Sequence, residues 1–110
     1  MAVMTDRQSV GANATVATVL SGKIAEFVHE PSAVRLSGTA SAVGLNMSLI
    51  VGEEVVVEDQ EVNAQNRMPI LPDDFIAEGG AFPGDRIVVK YRNTTGGAIT
   101  AFSRVDVEPV

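Results

Sequence analysis

The alternation of hydrophobic and polar positions is clearest in the C-terminal part of the chain, where it predicts two β-strands. Residues 87–92 alternate between an apolar side and a mixed side, and residues 99–107 alternate in the same way after a glycine-containing turn at 93–97. A period of two is typical of a half-buried strand. Pro83-Gly84 precedes the first of these strands and fits the centre of a type II turn. The pattern therefore predicts a C-terminal β-hairpin.

Earlier segments carry the same signal in shorter runs. The pattern predicts strands over residues 23–28, 33–39 and 44–51, and a further strand that begins at Val55. Gly52-Glu53-Glu54 supplies a turn between the last two, so the pattern predicts a second hairpin over residues 45–62.

The segment between these strands and the C-terminal pair is expected to contain one turn of helix. Asp73 and Asp74 are suited to cap a helical turn near residues 73–78, and Gly79-Gly80 would end it. This small helix would bury Phe75 and Ile76 over one end of the sheet.

Six or so short strands with many turns predict an all-β fold, an antiparallel β-sandwich of jelly-roll-like form with the one helical turn. A chain of 110 residues is the size of a single domain. Residues 1–17 show no sustained period, so we expect a flexible N-terminal arm there, followed by a single β-sandwich domain over residues 18–110.

Composition and charge exclude several classes of function. Hydrophobic residues make up 45% of the chain, enough for a packed core, whereas aromatic residues make up only 5%. The net charge is -6, which disfavours binding to the phosphate backbone of nucleic acid. We therefore expect no nucleic-acid partner.

The N-terminus and the absence of cysteine bear on location. The first residues lack the basic start and long apolar run of a signal peptide, and no apolar stretch approaches the roughly twenty residues that span a bilayer. We therefore expect that the protein is made in the cytoplasm and does not associate with a membrane. With no cysteine, the chain has neither disulfides nor thiol chemistry.

Candidate chemistry is sparse. His29 is the one histidine, it lies in an expected turn beside Glu30, and no nucleophile motif accompanies it. The acidic run between residues 53 and 61 lacks the spacing of a calcium loop and is better explained as a solvated strand edge. We predict no enzyme activity, no catalytic residue, no metal ligand and no cofactor.

The mixed face of the C-terminal hairpin is the best candidate for a partner surface. There two large apolar side chains share their strand faces with three basic residues. The predicted partner-binding residues are Val88, Lys90, Arg92, Phe102 and Arg104. Apolar residues on the outside of a small sandwich are often buried against copies of the same chain, so we expect self-association.

The chain resembles small β-sandwich virion structural proteins of tailed phages, of the capsid decoration or cement type. The resemblance lies in about the last 40% of the chain and in its cysteine-free composition, rich in Ala, Val, Thr and Gly. The segments that carry it are Pro69-Ile-Leu-Pro-Asp-Asp74, Pro83-Gly-Asp-Arg-Ile87, Arg92-Asn-Thr-Thr-Gly-Gly97 and Val105-Asp-Val-Glu-Pro-Val110.

The resemblance implies a non-enzymatic protein of the virion that stabilises a shell. Such proteins typically form homotrimers, contact the major capsid protein, and reach a neighbouring subunit with an N-terminal arm.

One alternative function is that of a β-sandwich that binds a glycan or surface polymer, with its site near residues 63–72 or the turn at 93–97. Another is a small enzyme or metal-dependent module, which needs the acidic clusters to converge.

Overall fold

The computed structural model describes residues 2–17, 19–23, 26–70 and 73–110. These residues form eight strands and no helix. The strands are β1 (Ala2–Val10), β2 (Thr15–Val16), β3 (Ser32–Ala40), β4 (Leu45–Val51), β5 (Glu54–Glu61), β6 (Phe75–Ala81), β7 (Ile87–Asn93) and β8 (Ile99–Pro109). Within the described part of the chain, nothing forms a helix long and apolar enough to cross a membrane.

The strands build two four-stranded antiparallel sheets. The first sheet has the order β1-β8-β3-β6 and the second sheet has the order β2-β7-β4-β5. The chain passes between the sheets at every connection except the β4–β5 hairpin. This arrangement is an eight-stranded jelly roll. The prediction of an all-β, jelly-roll-like antiparallel sandwich is confirmed.

The hydrophobic core lies between the sheets and is made by one face of each strand. On β4 the odd-numbered residues are buried against the other sheet, as the alternation predicted. The largest fully buried apolar side chains are Leu20, Leu36, Leu45, Met47, Leu49, Ile87 and Tyr91. Aliphatic residues carry most of the packing because the chain has few aromatic residues.

The C-terminal hairpin predicted from the alternation is wrong, although both of its strands are present. β7 pairs with β2 and β4 in the second sheet, while β8 pairs with β1 and β3 in the first sheet. A period of two shows which side chains share a face, but it does not show which strand lies alongside. The connection between β7 and β8 therefore crosses from one sheet to the other.

Asn93 holds this crossing in place. Its side-chain Nδ2 lies 3.1 Å from the Val10 carbonyl oxygen, 3.1 Å from that of Gly11 and 2.7 Å from that of Gly97. Its Oδ1 accepts a hydrogen bond from the Thr95 backbone N–H at 2.9 Å. One buried amide thus joins the β7–β8 connection to the end of β1.

The expected N-terminal arm is also wrong for the residues described. Ala2–Val10 is β1, and every residue of it pairs with β8, from Ala2 opposite Val107 to Val10 opposite Ile99. Thr15–Val16 is β2, at the edge of the second sheet. The sandwich domain therefore begins before residue 18.

Two further expectations differ from the structure. Residues 75–81 form β6 instead of a helical turn, because pairing with β3 overrides the local signal. Asp74 Oδ2 accepts the Ile70 backbone N–H at 2.9 Å, on its N-terminal side, so Asp74 caps no helical turn over residues 75–78. The described part of the predicted strand at 23–28 is irregular, with one isolated bridge between Phe27 and Arg86, and Ile24 and Ala25 lie outside the described residues.

Candidate functional site

The five predicted partner-binding residues do not share a surface. Since β7 and β8 lie in different sheets, Val88, Lys90 and Arg92 are on the outer face of the second sheet. Phe102 and Arg104 are on the outer face of the first sheet, on the opposite side of the molecule. The structure therefore divides the predicted set into two groups.

The group on the first sheet is engaged within the chain. Phe102 is only 6% exposed, and the guanidinium of Arg7 from β1 lies over its ring, 5.6 Å from the centroid. Arg104 donates from Nε to Asp106 Oδ1 at 2.8 Å. These contacts stabilise the outer face of the first sheet and leave little of Phe102 for a partner.

Two of the three residues on the second sheet border a cavity of about 290 Å³, and Val88 does not line it. Lys90 and Arg92 line one side of it, and residues from β2, β4 and β5 complete the wall. The full lining is Thr15, Ser48, Ile50, Val55, Glu58, Asp59, Lys90 and Arg92. We call this the second-sheet cavity.

A bulge in β5 shapes the second-sheet cavity. The pairing of β4 with β5 changes register on both sides of Leu49, and Asp59 has a φ of 49°. This left-handed conformation is uncommon for a residue other than glycine, though Asp tolerates it better than most. The Asp59 backbone N–H donates to Ser48 Oγ at 2.9 Å, so the bulged backbone folds over the outer face of β4.

The charges around the second-sheet cavity balance. Arg92 Nε donates to Asp59 Oδ1 at 3.1 Å, across the intervening strand β4. Lys90 and Glu58 line the same cavity without an ion-pair partner among the described residues. The rim thus carries two positive and two negative side chains.

The sequence indicated only part of this site. Lys90 and Arg92 were found from the mixed face of their strand, but Ser48, Glu58 and Asp59 were not. The sequence pattern places Asp59 in a solvated acidic edge, because alternation in a regular strand cannot show a bulge that turns its carboxylate toward Arg92.

A second candidate surface lies at one end of the sandwich, where the connections β2–β3, β4–β5 and β6–β7 meet. We call this the aromatic end, because Phe27 is 51% exposed there and Phe82 is 71% exposed. Their two loops are joined by hydrogen bonds between Val28 and the backbone of Gly84 and Asp85. Gly84 has a φ of 92°, as the predicted type II turn requires.

Arg86 and Glu26 form an ion pair at the aromatic end. Arg86 Nε donates to Glu26 Oε2 at 2.7 Å, and the Gly22 backbone N–H donates to Glu26 Oε1 at 3.0 Å. These bonds lower the pKa of Glu26 below its ordinary value, with the Gly22 bond the larger cause. The Arg86 guanidinium also lies 5.9 Å from the centroid of the Phe27 ring.

The most perturbed titratable group is Tyr91, inside the sandwich. Its hydroxyl donates to Asp6 Oδ2 at 3.0 Å and also contacts Ser103 Oγ. Burial raises the pKa of the Tyr91 hydroxyl far above its usual range, so it stays protonated as a donor. The network satisfies polar groups between the two sheets.

The other residues considered from the sequence are dispersed. His29 is exposed in the connection before β3. In the ranges that the structure describes, no three His, Cys, Asp or Glu residues converge in a way that could hold a metal ion.

No protein-family model, curated protein or solved structure matches this chain.

Proposed function

We propose that this chain is a non-enzymatic structural protein of a virion, a capsid decoration or cement protein. It self-associates into a closed homo-oligomer, a trimer by its resemblance to such proteins, and it contacts the major capsid protein. It acts by adding contacts across a symmetric shell. The observation that carries the proposal is the aromatic end.

Exposed phenylalanine is unusual in a chain with so few aromatic residues. Two of its four phenylalanines, Phe27 and Phe82, are more than half exposed, and both lie at the same end of the sandwich. Phenylalanine is among the residues most often buried in monomers, and it is enriched in the buried centre of interfaces.

The polar surroundings of Phe27 also suit an interface. Arg86 is held by Glu26 on one side and lies over the Phe27 ring on the other, so its orientation is set before any partner arrives. Arginine and aromatic side chains dominate the residues that contribute most to binding. Because the pair is pre-ordered, burying it costs less conformational entropy.

Light scattering after gel filtration tests self-association directly. We expect the wild-type chain to have three times the chain mass, and the double variant Phe27→Ser, Phe82→Ser to have the mass of a monomer. Val43→Ser is the control, because Val43 is 68% exposed in the connection between β3 and β4, at the other end of the sandwich. It should keep the wild-type mass.

A monomeric wild type at high micromolar concentration would contradict the proposal, as would an oligomer that the double variant leaves intact.

The assignment to a virion has its own test. Mass spectrometry of purified particles from the producing culture should find this chain in the particle fraction, and its absence from particles would refute a role in the shell.

A further inference from the structure

We propose that the second-sheet cavity binds one uncharged pyranose unit of a glycan. This site is separate from the assembly contact, because neither Phe27 nor Phe82 lines it. It gives the sandwich a second binding function on the face of a sheet.

The size and floor of the cavity fit a single sugar ring. A volume of about 290 Å³ is just below the range for small-molecule sites, which begins at about 300 Å³. Ile50 from β4 and Val55 from β5 are paired across the two strands and provide an apolar surface. The C–H face of a pyranose can pack on such a surface, which removes apolar area from water on both sides.

The polar groups around this floor are those that recognise hydroxyl groups. Ser48 is 7% exposed, and its Oγ already accepts the Asp59 N–H, so its hydroxyl hydrogen remains to donate into the cavity. Lys90 supplies further donors, and the carboxylate of Glu58 is an acceptor. A sugar hydroxyl both donates and accepts, so it can use each kind of group.

The balanced charge indicates that the ligand is neutral. Arg92 and Asp59 neutralise one another, which leaves one ammonium from Lys90 and one carboxylate from Glu58. An anionic sugar would gain from Lys90 but be repelled by Glu58, whereas a neutral sugar gains a charge-assisted hydrogen bond from each.

The cavity wall is formed before any ligand binds. The left-handed Asp59 costs conformational energy, and the ion pair to Arg92 and the bond to Ser48 hold it in place. A pre-formed wall lowers the entropy lost on binding. Because the cavity has no aromatic platform, we expect a weak dissociation constant, on the order of 1 mM.

The experiment uses the full chain and immobilised neutral oligosaccharides of glucose, galactose and mannose, beside sialylated and uronate-containing ones. The best neutral oligosaccharide is then titrated into ¹⁵N-labelled protein. We expect amide shifts at Ser48, Ile50 and Lys90, and little change in affinity as salt is raised. Glu58→Gln and Lys90→Met should each weaken binding at least about tenfold.

The controls are Glu53→Gln, which removes an exposed carboxylate outside the cavity, and Lys23→Met, which removes a lysine outside it. Both should bind as wild type does, and so should Phe27→Ser, Phe82→Ser. Three results would overturn the proposal: no binding to any sugar, binding restricted to the acidic sugars, or equal losses in the cavity and control variants. Thermal melts of each variant confirm that it is folded.

Discussion

At the scale of single residues, three of the six ion pairs among the described residues join two side chains that are each about a third or more exposed, and these pairs contribute little to stability. Arg35 donates to Glu78 at 2.6 Å and to Glu108 at 2.7 Å, yet all three side chains are about a third to half exposed. Exposed pairs of this kind contribute little, because water and salt screen the two charges. Glu26 is different, since its side chain is 11% exposed and it bonds to both a backbone N–H and Arg86.

Glu26 should make the stability of the fold depend on acid pH. Its pKa in the folded protein is lowered below the ordinary value of 4.5. The folded state therefore binds the proton more weakly than the unfolded state does. The stabilisation is present above a pH of about 4.5 and is lost as the pH falls through the lower, folded pKa. We expect the thermal midpoint to decline below that pH.

The variant Glu26→Gln separates this group from the other acidic residues. It should have a lower thermal midpoint than wild type at neutral pH and a smaller decline below a pH of about 4.5. Glu30→Gln, at an exposed position in the same connection, should keep the wild-type profile. Parallel profiles for Glu26→Gln and wild type would show that Glu26 is not the group responsible.

At the scale of the elements, the packing of β5 against β6, the strands at one edge of the two sheets, depends on glycine. A Cβ atom at Gly79 on β6 would lie 2.7 Å from Cγ2 of Val56 on β5, whereas one at Gly80 would meet nothing within 4 Å. The local signal in this segment, two adjacent glycines shortly after Asp73 and Asp74, is equally typical of a helix end. Because β5 packs against β6, Gly79 is needed for the absence of a side chain at that contact.

The neighbouring glycines provide a matched pair for a stability measurement. We expect Gly79→Ala to lower the free energy of unfolding by about 1–3 kcal/mol through overpacking. Gly80→Ala should be neutral or slightly stabilising. Adding Val56→Ala to Gly79→Ala should recover part of the loss, as urea unfolding of the double variant would measure. Equal effects at the two glycines would contradict this account of the packing.

At the scale of the whole molecule, residues 2–10 belong to the folded domain. Met4 is 3% exposed and Val10 is 0% exposed, so both are buried in the core. Val3, the neighbour of Met4, is on the outer face and is 44% exposed. β1 therefore covers the core along one edge of the first sheet, and it also supplies Arg7 to the Phe102 ring.

Variants in β1 distinguish a core strand from a flexible arm. Met4→Ala should lower the free energy of unfolding by about 2–5 kcal/mol, because it leaves a cavity in the core. Val3→Ala should change it by no more than about 0.5 kcal/mol. Urea unfolding measures both. If residues 1–17 were an arm, the two variants would be indistinguishable from wild type.

Much of the candidate cavity could not be read from the sequence. The predicted faces of β7 agree with the structure, and this is why the sequence identifies Lys90 and Arg92 as outward-facing side chains. Their neighbours Ser48 and Asp59 come from other strands. Ser48 lies beside Lys90 through the strand order, and Asp59 reaches Arg92 only through the β5 bulge. Neither feature leaves a local signal, because both are set by pairing between distant segments.

The sequence by itself determined the class of the fold and the faces of its main strands. Alternation is a local property, since successive side chains of a strand point to opposite sides, and it placed Leu49 and Val89 in the core correctly. Only the tertiary structure decided which strands are neighbours. It put β7 and β8 in different sheets, included β1 in the first sheet, and made β6 a strand. These choices depend on long-range burial and backbone pairing, whose free energy is shared among segments far apart in the chain.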